Sequence, residues 1–551
     1  MTVGALYQIK NLNTNSANNF LELNPQISFY KIVYRKYARF AMENISFSNL
    51  SRNTLDYDND VTIKCDIPRN ADLLRSLYFT FELPNIYSGN NINSDNGIST
   101  NYEFKWTKNI GINIFNSLIF KINGQEIDKL YSDYINIWKE LILSSDEKEI
   151  FNESIGHVTE LYDPKNSNGQ NGNYPNITTG NSPTLQSNKY RNKNVEMKGT
   201  QWIYNQSSIL NSSNASDYDI NIFPSIQSRK IKVPIPFFFC NNTGLALPLI
   251  ALQYSVLNLE FNMKKFQDLY TIIDAKYSEG SNSFNKRIKP GAEEHHKIDN
   301  FTNSYNYNIK PNVEGEYIFL DEDERKRFAV YDHEYLIEQP KISNKDGIEI
   351  ETNKEQTNAK IYSAFNPVKY LVWVVKRDDF KHINEWNNYT NWIDPDIPPY
   401  SCEYLYTDRY YNLTSSKNVF YNPDIDSHKA FYNTLELKKN ILKNIKIEFD
   451  GNLRINKDAE YYNIQQIQQH FKKKTVDGIY VYSFSLNPLE FQPSGSCNFS
   501  DIYEPFMYFT KEDMGDFSNL EGGYDYKCFI YLINYNILTI KSGIGALKFV
   551  S

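Results

Sequence analysis

A short segment near the end of the chain carries several groups that could do chemistry. Residues 494–499 read SGSCNF and place two hydroxyls, a thiol and an amide beside a glycine. As a nucleophile, Cys497 or Ser496 would need a histidine within hydrogen-bonding distance and a third group to orient it. None of the seven histidines stands in a GxSxG or HExxH frame. The sequence therefore predicts no catalytic residue in this segment.

Two histidine positions could instead suggest a metal site. The pair His295-His296 follows Glu293-Glu294, but adjacent side chains point in different directions on a helix or a strand. We interpret this pair as part of a solvated loop. His470 ends a helix-like segment, where a cationic ring suits the carbonyl end of a helix. The prediction is therefore no catalytic residue, no metal site and no cofactor.

The cysteines and the start of the chain indicate a reducing compartment. The five cysteines form no CxxC pair, which favours buried free thiols over a disulfide framework or a zinc site. They are Cys65, Cys240, Cys402, Cys497 and Cys528. The first residues lack the features of a signal peptide, and no apolar run approaches the roughly 18 residues of a membrane span. We expect synthesis in the cytosol and no membrane insertion.

Length and composition point to a large, mostly β protein that does not package nucleic acid. The 551 residues exceed one ordinary hydrophobic core, and 43 Tyr and 34 Phe favour strands over helices. The formal net charge is -8, and no run of basic residues stands at either end. A shell that condensed naked DNA or RNA would need such a run, because phosphate neutralisation supplies most of the affinity.

An internal repeat predicts that one architecture occurs twice. In residues 118–141 (LIFKINGQEIDKLYSDYINIWKEL) and 445–471 (IKIEFDGNLRINKDAEYYNIQQIQQHF), alternating apolar residues lead to Asn-Gly or Asp-Gly, both strong hairpin signals. Asn136 and Asn463 each follow the turn glycine by 12 residues. Apolar spacing in the first copy predicts a short helix after each hairpin. The runs 249–261 and 529–541 are predicted strands that end the two copies alike.

These features predict a mainly β chain of two tandem eight-stranded antiparallel jelly rolls with short helices. We expect an N-terminal arm at 1–23, a first jelly roll at 24–310 and a second at 311–551. Long polar surface loops are expected at 163–222 and 381–436. Between the domains, Asp321 to Arg325, Glu322 to Lys326 and Asp323 to Arg327 have i,i+4 spacing, which predicts a solvated helical turn.

Several motifs of the chain resemble the major capsid proteins of the nucleocytoplasmic large DNA viruses, the giant-virus group. The amino-terminal ones are GALYQ (4–8), NPQISFYKIVYRKYARFAME (24–43) and NGQEID (123–128). GLALPLIALQY (244–254) is similar to the close of the family's first domain, and HEYLIEQ (333–339) to the opening of its second. GIYVYSFSLNPLEFQPSGSCNFS (478–500) and INYNILTIKSGIGAL (533–547) complete the set.

The resemblance implies a double jelly roll whose trimers form pseudo-hexagonal capsomers of an icosahedral virion shell, assembled in the host cytoplasm. It implies no enzymatic activity, and it makes SGSCNF a structural turn that leads into a strand. Implied partners are neighbouring capsomers and minor capsid, penton and cement proteins, with an internal viral membrane nearby. The two long loops would lie on the outer face, where glycans or host contacts are possible. The first 23 residues would order only on contact with neighbouring proteins.

Two other functions fit a jelly roll, because this fold alone does not fix a function. One is a carbohydrate-binding protein or glycosidase, which should place two carboxylates across a Trp-lined cleft. The six tryptophans here stand mostly in apolar, core-like contexts. The other is a minor capsid jelly-roll protein, although the repeat and the chain length favour the major one. Sequons such as Asn176-Ile177-Thr178 decide nothing, because a chain this rich in Asn contains some by chance.

Overall fold

The computed structural model describes most of the two repeated halves and parts of the connections between their strands. The described residues are 24–47, 49–86, 102–164, 196–198, 201–203, 226–279, 282–288, 290, 297–302, 306–351, 354–362, 365–378, 380–392, 395, 404–405, 438–512 and 525–549. The predicted arm at 1–23, most of both predicted long loops, the GALYQ motif and the pair His295-His296 lie outside them.

The first half of the chain forms a sandwich of two antiparallel sheets. Its principal strands are β1 Phe40–Phe47, β2 Val61–Asp66, β3 Leu73–Leu83, β4 Phe115–Ile122, β5 Gln125–Tyr131, β6 Arg229–Pro234, β7 Leu257–Met263 and β8 Asn312–Leu320. One sheet has the order β1-β8-β3-β6 and the other β2-β7-β4-β5. The alternating burial of β2 and β7 points every second side chain into the core, where Phe79 of β3 meets Phe261 of β7.

The second half repeats this arrangement strand for strand. Its principal strands are β9 His333–Ile342, β10 Gln356–Lys360, β11 Pro367–Arg377, β12 Leu442–Phe449, β13 Asn452–Asp458, β14 Ile479–Ser483, β15 Pro505–Lys511 and β16 Tyr526–Lys541. The sheets have the orders β9-β16-β11-β14 and β10-β15-β12-β13. Both halves therefore share one jelly-roll topology, and the predicted fold of two tandem eight-stranded antiparallel jelly rolls is confirmed.

The remaining elements are short or lie in the connections. Further strands are Tyr102–Trp106, Glu196–Lys198, Gln201–Ile203, Leu247–Pro248, Tyr270–Glu279, Asn282–Ile288, Ile348–Ile350, Tyr404–Leu405, Cys497–Asn498 and Ile544–Leu547. The α-helices are α1 Ile110–Asn113, α2 Ser132–Leu141, α3 Ser145–Ser154, α4 Thr159–Tyr162, α5 Phe238–Asn241, α6 Glu322–Val330 and α7 Phe380–Ile383. None of these described helices is long and apolar enough to cross a membrane.

The two predicted hairpins are present and match in detail. Asn123-Gly124 joins β4 to β5 and Asp450-Gly451 joins β12 to β13, with all four residues at positive φ. Each hairpin carries a register shift at the same distance before its turn. The predicted helix after the first hairpin is α2. The one after the second hairpin is wound as two π-helical segments, Tyr461–Gln465 and Ile467–Phe471.

One expected correspondence between the two halves is wrong. Residues 249–261 do not form one strand, because Leu249–Ala251 is a 3-10 turn after Pro248 and β7 begins only at Leu257. Moreover, β7 is the seventh strand of its sandwich, whereas β16 is the eighth. The eighth strand of the first sandwich is β8, which lies beyond the predicted boundary at 311 and pairs with β1 and β3.

The charged helix between the two sandwiches is solvated, as predicted. No residue of α6 is buried, and Asp321 caps its first turn by accepting from the Glu324 backbone N–H at 3.0 Å. Glu322 and Lys326 form the expected pair at 2.7 Å. Arg325 does not pair with Asp321, because its guanidinium reaches Asp72 of the first sandwich at 3.0 Å.

The two sandwiches share a hydrophobic seam. In β11 every residue after Pro367 is buried, so both faces of this strand are covered. Trp373 and Val375 lie in the core of the second sandwich, whereas Val372 and Val374 belong to the hydrophobic cluster of the first. Strands buried on both faces read as continuous apolar runs, which explains the sequence YLVWVV at 370–375.

Candidate functional site

The SGSCNF segment is built as a turn. Cys497 and Asn498 form a short strand that pairs with Pro367 and Val368 at the start of β11. The Ser494 hydroxyl lies 2.6 Å from the Ser485 hydroxyl and accepts the Asn487 backbone N–H at 2.9 Å. Burial raises the pKa of the half-buried Cys497 thiol. The serine hydroxyls fix backbone segments to one another, and burial disfavours the Cys497 thiolate that a nucleophile would need.

The described histidine side chains have local structural contacts. Burial and the nearby Lys139 lower the pKa of His157 to about 3, and its ring stacks on Tyr162. His333 Nε2 lies 2.8 Å from the Phe328 carbonyl oxygen. His470 Nδ1 lies 3.1 Å from the Leu486 carbonyl oxygen, so its contact is with another segment and not with the end of its own helix.

The other candidate ligands and nucleophiles are dispersed. Among the described residues, no group of three His, Cys, Asp or Glu side chains is placed to hold a metal ion. The four described cysteines, Cys65, Cys240, Cys497 and Cys528, are free thiols, and Cys402 lies outside the described residues. Burial raises the pKa of Cys65 to about 11 and that of Cys528 still further.

Within the described part of the chain, a buried ion pair with further hydrogen bonds lies at the seam between the sandwiches. Helix α2 brings Asp133 to within 2.6 Å of Lys376 Nζ, which comes from β11 and is completely buried. The same ammonium donates to the Trp386 carbonyl oxygen at 2.6 Å. This ion pair links the first sandwich to the second.

A segment of the second predicted loop also packs against the first sandwich at the seam. Residues 384–391 fall in the predicted long loop 381–436, yet the Asn384 amide donates to the carbonyl oxygens of Gln267 and Tyr270 at 2.7 and 2.8 Å. Trp386 is buried, and its ring N–H donates to the Asp268 carbonyl oxygen at 2.9 Å. The aromatic residues in HINEWNNYTNW were the only signal that this stretch could be buried.

A second polar network joins α1, α2 and α3. Lys139 Nζ donates to the side-chain oxygens of Asn109 and Asn152 at 3.0 and 2.8 Å. Asn136, which the repeat singled out, accepts from Asn109 at 2.9 Å and donates to Asn113 at 3.1 Å. Burial lowers the pKa of Lys139 to about 8. The network holds a cation deep in the molecule beside amides.

Among the described residues, the longest run of exposed apolar side chains is the segment before β1, here called the N-terminal strap (residues 24–39). Every strap residue is exposed, and the strap lies outside the sheets. Its large apolar side chains are between 71% and 100% exposed: Ile27, Phe29, Tyr30, Ile32, Val33, Tyr34 and Tyr37. It also carries two Lys and two Arg and no acid. A contiguous apolar surface of this kind is typical of a protein interaction site.

Comparison with known families accounts for nearly the whole chain. Residues 28–321 match the family model described as major capsid protein N-terminus. Residues 324–546 match the model described as large eukaryotic DNA virus major capsid protein. The two matches meet at α6.

Similar proteins and structures agree with these matches. The major capsid protein of Phaeocystis pouchetii virus is 27% identical over 575 residues, with 96% of each chain covered. A quasi-atomic model of the PBCV-1 virus capsid has a TM-score of 0.59 at 24% identity and covers 95% of this chain and 100% of its own. The Faustovirus major capsid protein has a TM-score of 0.56 at 11% identity, with 98% and 97% covered. These structures share the fold of this chain.

Proposed function

We infer how this protein acts from one premise: the chain belongs to the large eukaryotic DNA virus major capsid proteins. It is a structural component of the virion capsid and not an enzyme. We propose that three copies associate into a pseudo-hexagonal capsomer and that such capsomers tile an icosahedral shell.

One observation carries this proposal, the identical strand order of the two sandwiches. Three chains of two like sandwiches present six similar units around one axis, which gives a six-sided outline from a threefold assembly. Cyclic closure also prevents open-ended fibres. Interfaces of such obligate assemblies typically bury roughly 2,000 Å² or more.

The finer arrangement follows from the same proposal. We place the boundary between the jelly rolls between β8 and α6, because β8 pairs within the first sandwich. The loops at 163–222 and 381–436, apart from the stretch 384–391 that packs in the seam, would lie on the outer face and could carry glycans. Neighbouring capsomers and minor capsid, penton and cement proteins would be the partners. An internal viral membrane would lie nearby without insertion or direct nucleic-acid contact, and assembly would take place in the host cytoplasm.

The mass and outline of the purified full-length protein test the proposal. Light scattering should give three times the chain mass of 64.5 kDa, and negative-stain images should show a nearly hexagonal particle. A stable monomer at micromolar concentration, or a dimer, would contradict the trimeric capsomer.

The N-terminal arm gives a second test. We propose that residues 1–23 and the strap order on contact with neighbouring proteins. Limited proteolysis of isolated trimers should then remove this region before any strand of the sandwiches is cut. Resistance equal to that of the strands would overturn this part of the proposal, without affecting the trimer itself.

A further inference from the structure

A polar cleft of about 530 Å³ lies where the first sandwich meets the second. The cleft is lined by residues of α2 and α3 from the first sandwich and by residues 474–477 and Lys439 from the second. Its volume lies within the usual range for small-molecule sites.

The described lining of the cleft has a surplus of positive charge. Five lysines line it, and the carboxylates are those of Glu140 and Asp477 alone. The lysines are Lys108, Lys139, Lys148, Lys439 and Lys474. Both carboxylates already have a cation, because Glu140 pairs with Lys148 and Asp477 lies 2.5 Å from Lys439. The described side chains that line the cleft therefore carry five positive and two negative formal charges.

Lys139 is the cation with the strongest need for an anion. It is 4% exposed, and its close acceptors are two neutral amide oxygens. The nearest carboxylate oxygen, from Glu140, is 3.9 Å away. A buried ammonium without a close counterion loses hydration that amide oxygens only partly replace. An anion in the cleft would supply the missing charge.

Lys474 of the second sandwich provides another cation at the cleft. Its side chain is exposed at the cleft, and it forms no ion pair with any described residue. Lys139 belongs to the first sandwich and Lys474 to the second. Two ammonium groups that line one cleft from different sandwiches suit a ligand with several anionic oxygens, because each lysine can donate charge-assisted hydrogen bonds to a different oxygen.

We propose that this cleft binds a small molecule that carries two or more phosphate groups, and that the bound molecule ties the two sandwiches together. The proposal does not depend on the trimer. It predicts a small-molecule stabiliser whose binding energy adds to the cohesion of the two domains.

Titration of inorganic pyrophosphate into the full-length protein by calorimetry tests the site, with chloride adjusted to constant ionic strength. We expect saturable binding of one molecule per chain and a higher melting temperature. Lys474→Gln should weaken binding about tenfold, because one charge-assisted hydrogen bond is lost. Lys443→Gln is the matched control: Lys443 is an exposed lysine of the same sandwich outside the cleft lining, and its loss should leave the affinity unchanged.

A second variant keeps the test independent of surface charge. Lys139→Met keeps the length of a buried side chain and should abolish binding while the variant still shows the β-sheet circular dichroism spectrum and mass of the wild type. Absence of saturable binding to the wild type would overturn the proposal. Equal loss of affinity in Lys474→Gln and Lys443→Gln would also overturn it, because the effect would then reflect net charge and not the cleft.

Discussion

At the scale of single residues, Asp128 on β5 couples stability to pH. It is 3% exposed, its Oδ2 accepts the Phe238 backbone N–H at 3.1 Å, and its Oδ1 has no hydrogen-bond partner among the described residues. Burial raises the pKa of Asp128 from 3.8 to about 7. Because the pKa is higher in the folded state than in the unfolded state, the stabilising contribution is complete below pH 3.8 and is lost as the pH rises to about 7.

Replacement by the neutral isostere should remove this dependence. We predict that Asp128→Asn gains stability relative to the wild type between pH 4 and pH 8, by up to about 4 kcal/mol. Urea unfolding at fixed protein concentration at both pH values measures the gain. Asp458→Asn, an exposed substitution in the matching hairpin, is the control and should show no such gain. A constant difference between Asp128→Asn and the wild type across this range would contradict the assignment.

Two glycines with similar backbone conformations should differ sharply in their tolerance of alanine. Gly478 and Gly451 have φ of +86° and +77°. A Cβ at Gly478 would lie 2.2 Å from the Tyr389 carbonyl oxygen, whereas one at Gly451 would meet nothing within 4 Å. Gly451→Ala should cost about 1 kcal/mol through backbone strain alone. Gly478→Ala should cost about 3 kcal/mol or more, because the seam must also move. Equal losses in denaturant unfolding would refute this distinction.

At the scale of elements, the two hairpin turns could be predicted from the sequence, whereas the type of helix that follows each turn could not. The Asn-Gly and Asp-Gly turns require positive φ at both positions, so these pairs alone located the hairpins. The segments that follow the two turns nevertheless differ, because 132–141 is an α-helix and 461–471 consists mainly of π-helical turns. The apolar spacing of the first copy is only partly kept in the second, where Gln465 and Gln468 stand in place of Trp138 and Leu141.

Burial that depends on contacts with residues distant in the sequence could not be predicted from the sequence patterns either. Residues 384–391 are polar enough to read as a loop, yet most of them are buried, and backbone carbonyls of the first sandwich accept the side-chain N–H groups of Asn384 and Trp386. The run 249–256 shows the opposite case. Its apolar residues suggested a strand, but a continuous apolar run cannot be told from a buried turn by periodicity alone. Both cases depend on partners distant in the sequence.

The C-terminal hairpin formed by β16 and Ile544–Leu547 acts as a clasp on the first sandwich. The buried Ser255 hydroxyl donates to the Gly543 carbonyl oxygen and accepts the Gly545 backbone N–H, both at 3.2 Å. We predict that Ser255→Ala costs about 1–3 kcal/mol, because a buried N–H loses its acceptor. Hydrogen exchange of amides 541–547 should accelerate selectively.

A matched control separates the clasp from general destabilisation. Ser117 is also buried, and its hydroxyl accepts from the Asn262 amide at 2.9 Å, but it lies within the first sandwich. Ser117→Ala should lower stability without singling out amides 541–547. If both variants accelerate exchange of those amides alike, the clasp has no special role.

At the scale of the whole molecule, the shared seam makes the two jelly rolls one body. The cluster that fills the first sandwich also contains Val374, Tyr531 and Ile533 of the second. Separation of the domains would therefore expose apolar surface of both. A rigid pair of sandwiches is what a six-sided trimer requires, because the angle between like units within a chain sets their spacing around the axis.

The ion pair of Asp133 and Lys376 provides the test of this coupling. Burial lowers the pKa of Lys376, and the Asp133 carboxylate opposes that shift. Asp133→Asn leaves a completely buried ammonium without this counterion, so we predict a loss of about 3 kcal/mol. Calorimetry should show the single unfolding transition of the wild type separating into two, as the sandwiches lose their cooperativity. Asp133→Asn combined with Lys376→Met should restore most of the loss, because no buried charge remains. Asp146→Asn, an exposed change on the adjacent helix, should have little effect. A single transition in Asp133→Asn, at the temperature of the wild type, would show that the apolar seam alone holds the sandwiches together.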